Sequence, residues 1–238
     1  PREDPWLGGL AVVAPAATAR RTITRLGGDS PASAEDEMLV ETRLSLVVNG
    51  AEVESAVCTA GYEEYWAVGH LVCGGAVSRI EDVEGIDAAP GRVSARVAGR
   101  VGPRPEVPSR IVRASVLVDG AEWLAGAPVF RATGGTHVAA LVSLDGERLF
   151  RVEDIGRHNA VDKAVGWALL KNLDLSRTFL AVSGRLPADM VLKAIGARIP
   201  LLASVSAATA AGVDAALEGG VTLIGFAREG RMNIYSVP

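Results

Sequence analysis

The stretch "TFLAVSGRLPADMVLKAIGARIPLLASVSAATAAGVDAALEGGVTLIGFA", residues 178–227, alternates three short apolar runs with two helical patterns. The runs "TFLAV", "PLLASV" and "VTLIGFA" have the length of buried strands and are too short for helices. Pro187 stands near the first position of one predicted helix, and Gly219 and Gly220 end the other. Strands joined by helices of this length predict βαβ crossovers. We therefore expect an α/β fold with a largely parallel sheet that is covered on both faces.

The pattern continues on both sides of this stretch. Upstream, "HVAALVSL" and "RLFRVED" predict a hairpin that turns at Asp145-Gly146, and the next residues, 157–171, predict a helix. Downstream, "RMNIYSV" predicts a last strand. Together these elements predict one α/β domain over residues 126–238.

A smaller α+β domain is predicted over residues 38–125. Asn49-Gly50 lies between two apolar runs, which is a strong hairpin signal. "GYEEYWAVGHLVCGGAV" places its apolar residues on one helix face and ends at Gly74-Gly75. We expect the domain to end in a Pro/Arg-rich junction, "GRVGPRPEVPSR". Residues 1–37 predict an irregular lead-in with a strand at "RRTITRL".

Composition limits the classes of function. The chain has 238 residues, of which 49% are hydrophobic, and this is enough for a substantial core. A formal net charge of −4 argues against a nucleic-acid-binding protein. No apolar window reaches the roughly 18 residues that a membrane-spanning helix needs. The chain has two cysteines, Cys58 and Cys73, without C-x-x-C spacing, which argues against a disulfide framework and favours a cytoplasmic location.

Small, hydroxyl-bearing or cationic residues stand at each predicted strand end of the larger domain. Ligands bind beyond the carboxyl ends of the strands in such sheets. The candidate contacts are Thr133, Gly134, Gly135 and His137; Arg157, His158, Asn159, Asp162 and Lys163; Ser183, Gly184 and Arg185; Ser206; and Arg228, Glu229, Gly230 and Arg231.

This combination suits a phosphate-bearing ligand. Backbone N–H groups at helix N-termini carry partial positive charge, glycine permits close approach, and arginine forms bidentate hydrogen bonds with phosphate. The alternative for any single turn is ordinary helix capping by Ser, Gly and Asp. The recurrence at four strand ends, with four arginines, favours a ligand site.

The segment "EDIGRHNAVDK", residues 153–163, concentrates polar side chains at one helix entry. Asp154 is a candidate N-cap. His158 and Asp162 are four residues apart, as are Asn159 and Lys163, so each pair is predicted to share a helix face and Asp162 to orient the His158 imidazole. The alternatives are a solvated helix face and a hydrolase that uses His158 with Asp162, although no nucleophile accompanies this pair.

Several known catalytic motifs do not occur in the sequence. The chain has no Walker A loop, no H-E-x-x-H, no G-x-S-x-G, no G-x-G-x-x-G and no zinc deaminase pattern. Cys58 and Cys73 both lie in apolar surroundings, where a cysteine usually packs as a small hydrophobic residue. His70 stands three residues before Cys73, so activation of that thiol is the other interpretation.

Five blocks resemble, in order, the signature blocks of the FdhD family, the accessory proteins of formate dehydrogenase. They are "FRATGGTHVAAL", "EDIGRHNAVDKAVG", "VSGRLPADMVLKA", "SVSAATAAGVDAAL" and "TLIGFAREGRMNIYSVP". The resemblance covers about residues 18–238. It implies a three-layer C-terminal domain similar to cytidine deaminase, without zinc, beside a smaller α+β N-terminal domain.

The resemblance also implies a function. Members are described as sulfur carriers, or sulfurtransferases, that take sulfur from a cysteine desulfurase and pass it to the molybdopterin guanine dinucleotide cofactor (Mo-bis-MGD) of formate dehydrogenase. It further implies a homodimer with a guanine nucleotide pocket, which GDP would occupy as a mimic of the cofactor. The family's guanine-dinucleotide segment falls here on Phe226, Ala227, Arg228, Glu229, Gly230 and Arg231.

One departure from the family pattern concerns the sulfur relay. The family carries a C-x-x-C loop between the N-terminal unit and the "TGG" block, whereas residues 76–132 here contain no cysteine. Three alternatives follow. The relay is lost and the cofactor pocket is kept, Cys58 or Cys73 replaces it, or a cysteine-bearing loop lies outside this sequence.

Overall fold

The computed structural model describes residues 17–27, 30–98 and 106–238. Its strands are β1 (Thr18–Leu26), β2 (Pro31–Leu39), β3 (Glu41–Val48), β4 (Ala51–Thr59), β5 (Val83–Ala89), β6 (Arg92–Val97), β7 (His137–Ser143), β8 (Arg148–Asp154), β9 (Thr178–Val182), β10 (Leu201–Ser204), β11 (Thr222–Arg228) and β12 (Arg231–Ser236). Its α-helices are α1 (Glu63–Cys73), α2 (Ala114–Glu122), α3 (Pro128–Thr133), α4 (Arg157–Leu170), α5 (Ala188–Gly196) and α6 (Ala210–Gly219).

The larger sheet has six strands in the order β12-β11-β10-β9-β7-β8. Strands β9, β10 and β11 pair in parallel, as the βαβ pattern predicts. The remaining pairs are antiparallel, so the predicted largely parallel sheet is wrong outside its centre. The physical reason for two of these pairs is that the β7–β8 and β11–β12 connections are tight turns, which can join only antiparallel neighbours. In the third pair, β7 lies between β8 and β9, which are connected through α4 and run in the same direction, so β7 is antiparallel to both. Glu229 and Gly230 form the second turn with φ of 55° and 72°.

Helices cover both faces of this sheet, which confirms that prediction. Leu141, Leu180 and Leu202 point to the face that α4, α5 and α6 cover. Phe179, Ala203 and Ile224 point to the opposite face, where α2 and the segment before α3 pack. The domain is therefore a three-layer α/β/α structure. Its likeness to cytidine deaminase stays a prediction.

The smaller sheet has four strands in the order β4-β3-β6-β5. Asn49 and Gly50 connect β3 to β4 with φ of 50° and 89°, which confirms the predicted hairpin. Helix α1 covers one face through the fully buried side chain of Trp66 and through Leu71, and it ends at Gly74 as predicted.

Two parts of the predicted domain division differ from the structure. The predicted lead-in is wrong for its second part, because β1 and β2 pair antiparallel along their whole length. The strand predicted at "RRTITRL" lies in β1. The sequence does not predict β2, "PASAEDEML", because this strand is charged and largely exposed and has no buried face. Helix α2, which falls in the predicted smaller domain, packs instead on the six-stranded sheet. Residues 1–16 and 99–105 lie outside the described residues.

Helices α1 and α4 cross at two glycines. A Cβ atom built on Gly69 would lie 1.8 Å from the Asp162 carbonyl oxygen, and one on Gly166 would lie 1.8 Å from the Tyr65 carbonyl oxygen. No larger side chain fits at either position, so the backbones are in direct contact. This crossing fixes the first turns of α4 against the smaller domain. In the described part of the chain, we find no helix with the length and apolar character required to span a bilayer.

Candidate anion-binding site

The polar strand-end residues lie at one end of the strands of the six-stranded sheet. Strands β8, β9, β10 and β11 finish at this end and β7 begins there, and we call it the strand-end edge. Because β7 is antiparallel to β8, its first residue, His137, pairs with the last residue of β8, Asp154. Ser183 follows β9, and its Oγ accepts a hydrogen bond from the Val138 N–H at 2.9 Å. Ser206 follows β10 and accepts one from the Phe226 N–H through its carbonyl oxygen at 3.0 Å. The predicted convergence of these segments is thus a property of the topology.

Two arginines at this edge lack acidic partners. Within residues 17–27, 30–98 and 106–238, no carboxylate forms an ion pair with Arg157 or with Arg185. The Arg157 Nε is buried and has no hydrogen-bond acceptor. The Arg157 side chain lies on Gly184, where a Cβ atom would be 3.1 Å from the Arg157 Cδ. Because Gly184 has no side chain, the Arg157 side chain can lie against it in the loop between β9 and α5.

His137 lies in the same electropositive surroundings. Burial lowers the pKa of its imidazole, and the nearby Arg157 and Arg185 guanidinium groups lower it further, although Asp154 opposes them. We call Arg157, Arg185, His137 and His158 the cationic cluster. A site with guanidinium groups and no acidic partner is suited to an anion, because a bound phosphate would supply the missing acceptors.

His158 does not contact Asp162, which contradicts the prediction. Its Nε2 lies 2.9 Å from the Oδ2 of Asp189, in the first turn of α5. Asp162 is buried on another side of α4, where the Lys193 Nζ donates to both of its carboxylate oxygens at 2.7 and 2.8 Å. The His70 Nδ1 is 3.4 Å from the same carboxylate. Burial alone would favour a neutral amine, yet Asp162 and the Cys73 sulfur raise the pKa of Lys193.

Asp154, Lys163, Asn159 and Thr59 form a closed buried network beneath the cluster. The Lys163 Nζ donates at 2.7 Å both to the Asp154 Oδ2 and to the Thr59 carbonyl oxygen. The Thr59 N–H donates to the same Oδ2 at 3.1 Å. The Thr59 Oγ1 accepts from the Ile155 N–H. Asp154 and Lys163 are almost completely excluded from solvent, so the predicted direct cofactor contact by Lys163 is wrong in this structure.

Asn159 completes the closed network. Its Nδ2 donates to the Val57 carbonyl oxygen at 2.8 Å and to the Asp154 Oδ1 at 3.1 Å. Its Oδ1 accepts from the Trp66 Nε1 at 3.2 Å. Both amide donors are used within the protein, so Asn159 does not offer the predicted donor to a ligand. Asp154 is not an N-cap either: Gly156 occupies that position, and Asp154 accepts its N–H at 2.8 Å.

The "TGG" segment, residues 133–135, precedes the cationic cluster in the sequence, and the β11–β12 turn, residues 228–231, follows it. Gly134 ends α3 with φ of 67°, and the Thr133 Oγ1 donates back to the Val129 carbonyl oxygen. Arg228 lies over the Phe226 ring, with its Cζ 5.8 Å from the ring centroid. Arg231 lies 3.7 Å from Glu229 on the exposed turn. Ala227 is completely buried, so its side chain cannot contact a ligand.

Both cysteines are buried as free thiols, as their apolar surroundings predict. Burial, followed by the charge of Asp154, raises the pKa of Cys58 to about 12. Burial and the Asp162 carboxylate raise the pKa of Cys73 well above its usual range. Neither thiol is therefore activated as a nucleophile in this conformation. Among the described residues, we find no group of three His, Cys, Asp or Glu side chains arranged to hold a metal ion.

Comparison with known proteins places this fold in a family. The model of the FdhD/NarQ family matches residues 39–118 and 105–238. This chain belongs to the FdhD/NarQ family. The family relationship that the sequence blocks indicate is thus confirmed.

Three curated FdhD relatives agree with this placement. The sulfur carrier protein FdhD of Wolinella succinogenes is 32% identical over 248 residues, which cover 90% of this chain and 86% of that protein. The protein of the same name from Mycolicibacterium paratuberculosis is 33% identical, with coverage of 92% and 97%. The one from Nocardia farcinica is 51% identical over 125 residues, or 52% of this chain and 45% of that protein.

A solved structure shares the fold. A Desulfotalea psychrophila protein, provisionally assigned as a formate dehydrogenase accessory protein, superposes with a TM-score of 0.84. The match covers 93% of this chain and 98% of that protein at 23% sequence identity. This FdhD-type fold therefore persists at low sequence identity.

Sequence reasoning missed Thr59, Trp66 and Asp189. Thr59 contacts Asp154 and Lys163, Trp66 contacts Asn159, and Asp189 contacts His158. Thr59 and Trp66 lie about a hundred residues upstream of their partners, and no local spacing relates them. Asp189 lies in the predicted helix that begins near Pro187, and spacing within one helix does not relate it to His158 on another helix.

Proposed function

We propose that this chain is an accessory protein for formate dehydrogenase maturation that binds the molybdopterin guanine dinucleotide cofactor at the strand-end edge. Membership of the FdhD family supports the accessory role. The observation that carries the binding proposal is the cationic cluster, in which Arg157 and Arg185 have no acidic partner among the described residues and the buried Arg157 Nε has no acceptor.

The residues present fit a phosphate-bearing group. Arg157 and Arg185 would bind phosphate oxygens, and Gly184 leaves room at the loop between β9 and α5. Arg228 and Phe226 present a guanidinium and an aromatic face that suit a guanine base. When bound, the cofactor supplies the metal centre that receives sulfur. The chain itself binds and orients it.

A second candidate function is a cofactor-binding scaffold without sulfur transfer. The burial of Cys58 and Cys73 and the raised pKa of each thiol favour it, because a persulfide carrier needs an accessible thiolate. A carrier role for either cysteine would require the surrounding helices or strands to open.

Nucleotide binding is tested by thermal melting with GDP. We expect GDP to raise the melting temperature, because a ligand that binds only the folded chain stabilises it. Arg228→Ala should abolish the shift. Arg177→Ala, at the opposite edge of the sheet, is the matched control and should keep it. Absence of any GDP effect at millimolar concentration would contradict the proposed site.

Sulfur transfer is tested by incubating the chain with a cysteine desulfurase and cysteine, followed by alkylation and mass spectrometry. Sulfane sulfur on Cys58 or Cys73, lost on substitution by Ala, would support the carrier function. An unlabelled protein that still binds GDP would support the scaffold. A homodimer and a cytoplasmic location remain predictions, which light scattering and cell fractionation can check.

A further inference from the structure

Among the described residues, the His158–Asp189 pair is the one ion pair or hydrogen bond between the cationic cluster and a carboxylate. Asp189 is held at the start of α5, where its Oδ1 accepts the Met190 N–H at 2.8 Å. Its Oδ2 is thereby directed at the His158 Nε2, 2.9 Å away. Both side chains are partly exposed, so the pair adds little to stability. Its geometry matters instead for the position of the proton on the His158 imidazole.

A carboxylate next to Nε2 selects one tautomer of a neutral imidazole. The proton lies on Nε2 and is donated to Asp189, which leaves the Nδ1 lone pair without a proton. No described side chain or backbone group donates to or accepts from Nδ1. The same arrangement, a carboxylate on one ring nitrogen and a free second nitrogen, lets histidine accept a proton in enzyme active sites.

We propose that Asp189 is a positioning residue that leaves the His158 Nδ1 free to take up a proton when a phosphate group binds the cationic cluster. The proton comes from the buffer, and Nε2–H continues to donate to Asp189. The resulting imidazolium donates from Nδ1 to a phosphate oxygen. This inference rests on the proposed function and adds a further residue and a linked proton to its site.

The charged groups around His158 support this assignment. Burial lowers the pKa of the imidazole, Asp189 opposes this effect, and Arg157 and Lys193 lower the pKa further. His137 belongs to the same cluster. The free protein therefore holds a neutral His158 near pH 7. A bound anion offsets the neighbouring positive charges, so the pKa rises on binding and affinity increases as the pH falls.

The test is calorimetric titration of the full chain with GDP at pH 7 in two buffers of different ionisation enthalpy, which gives the protons taken up per GDP bound. The terminal phosphate of GDP itself titrates, with a pKa of about 6. The informative quantity is therefore the difference between variants. The variants are His158→Gln, Asp189→Asn and Asp214→Asn, the last of which removes an exposed acid on α6.

We expect the wild-type chain to take up more protons than His158→Gln, with Asp189→Asn between the two and Asp214→Asn equal to the wild type. Asp189→Asn should also bind GDP about threefold to tenfold more weakly at pH 7, since it removes a charged hydrogen-bond partner of the histidine. Equal proton uptake by wild type and His158→Gln, with GDP still bound, would overturn this inference alone. Failure of the wild-type chain to bind GDP would overturn the proposed function as well.

Discussion

The closed network and the cationic cluster arise from the same segment, residues 153–163, and differ in how their polar groups are satisfied. Asp154 and Lys163 are buried and use their charged groups within the protein. Arg157 is half-buried and retains an unused donor, and the exposed Arg185 has no ion pair among the described residues. Buried charges with a complete set of partners maintain structure, whereas accessible charges without partners are available to a ligand.

The difference predicts different consequences of substitution. A change in the closed network leaves a buried charge without a partner and should reduce the free energy of unfolding. A change in the cationic cluster removes a group that is satisfied only by a ligand and should reduce binding. The two effects can be measured separately, by denaturation and by nucleotide titration.

The largest expected effect is that of Lys163→Met. This change leaves the Asp154 carboxylate buried without its cation, and we expect a loss of about 3–5 kcal/mol in the free energy of unfolding. Urea denaturation followed by circular dichroism measures it. Lys193→Met should lose less, because His70 still lies 3.4 Å from the Asp162 carboxylate. A loss equal to or smaller than that of Lys193→Met would contradict the assigned role of Lys163.

Two glycine substitutions, one at the α1–α4 crossing and one beside the cationic cluster, test the same difference between structure and binding. In Gly166→Ala the new Cβ would meet the backbone oxygen of Tyr65, which cannot move easily. We expect a loss of roughly 1–3 kcal/mol in stability. In Gly184→Ala the new Cβ would meet the flexible side chain of Arg157, so stability should change little and GDP affinity should fall. Equal destabilisation by both changes would indicate that the site edge is packed as rigidly as the helix crossing.

Arg157→Gln should leave stability within about 0.5 kcal/mol of wild type. It should weaken GDP binding by roughly tenfold, which corresponds to the loss of one charged hydrogen bond of about 1.4 kcal/mol. Arg177→Gln, on the other edge of the sheet, is the control and should change neither quantity. Titration calorimetry with parallel melting curves distinguishes these outcomes. An unchanged GDP affinity would remove Arg157 from the proposed site.

The smallest expected effect concerns the thiols. Burial raises the pKa of Cys58 to about 12 and that of Cys73 well above its usual range, so the thiolate fraction at pH 8 is very small in the folded state. We expect negligible reaction with an aromatic disulfide reagent in native buffer and reaction of both thiols in denaturant. Rapid labelling of one cysteine in the folded chain would show that the conformation opens and would strengthen the carrier function.

Most elements of the larger domain could be predicted from the sequence. The apolar runs have the lengths of strands, and Gly146 and Gly220 mark a turn and a helix end with φ of 100° and 69°, which glycine adopts without strain. The sequence also predicted that the candidate site residues lie at one end of the sheet, because the direction of the strands determines where their ends meet. Strand β2 and helix α2 could not be assigned correctly, since an exposed ribbon lacks apolar alternation and a short apolar run is ambiguous.

The sequence by itself determined the order and type of the main elements, the family, and the gathering of polar residues at one sheet edge. The tertiary structure alone decided which of those residues are free. The Lys163 Nζ contacts Thr59, 104 residues away, because the glycine contact between α1 and α4 brings the two domains together. His158 pairs with Asp189 rather than Asp162 for a related reason: α5 packs beside α4 and supplies the nearer carboxylate. Side-chain spacing on one helix defines neighbours, but burial and packing against other elements select the partner.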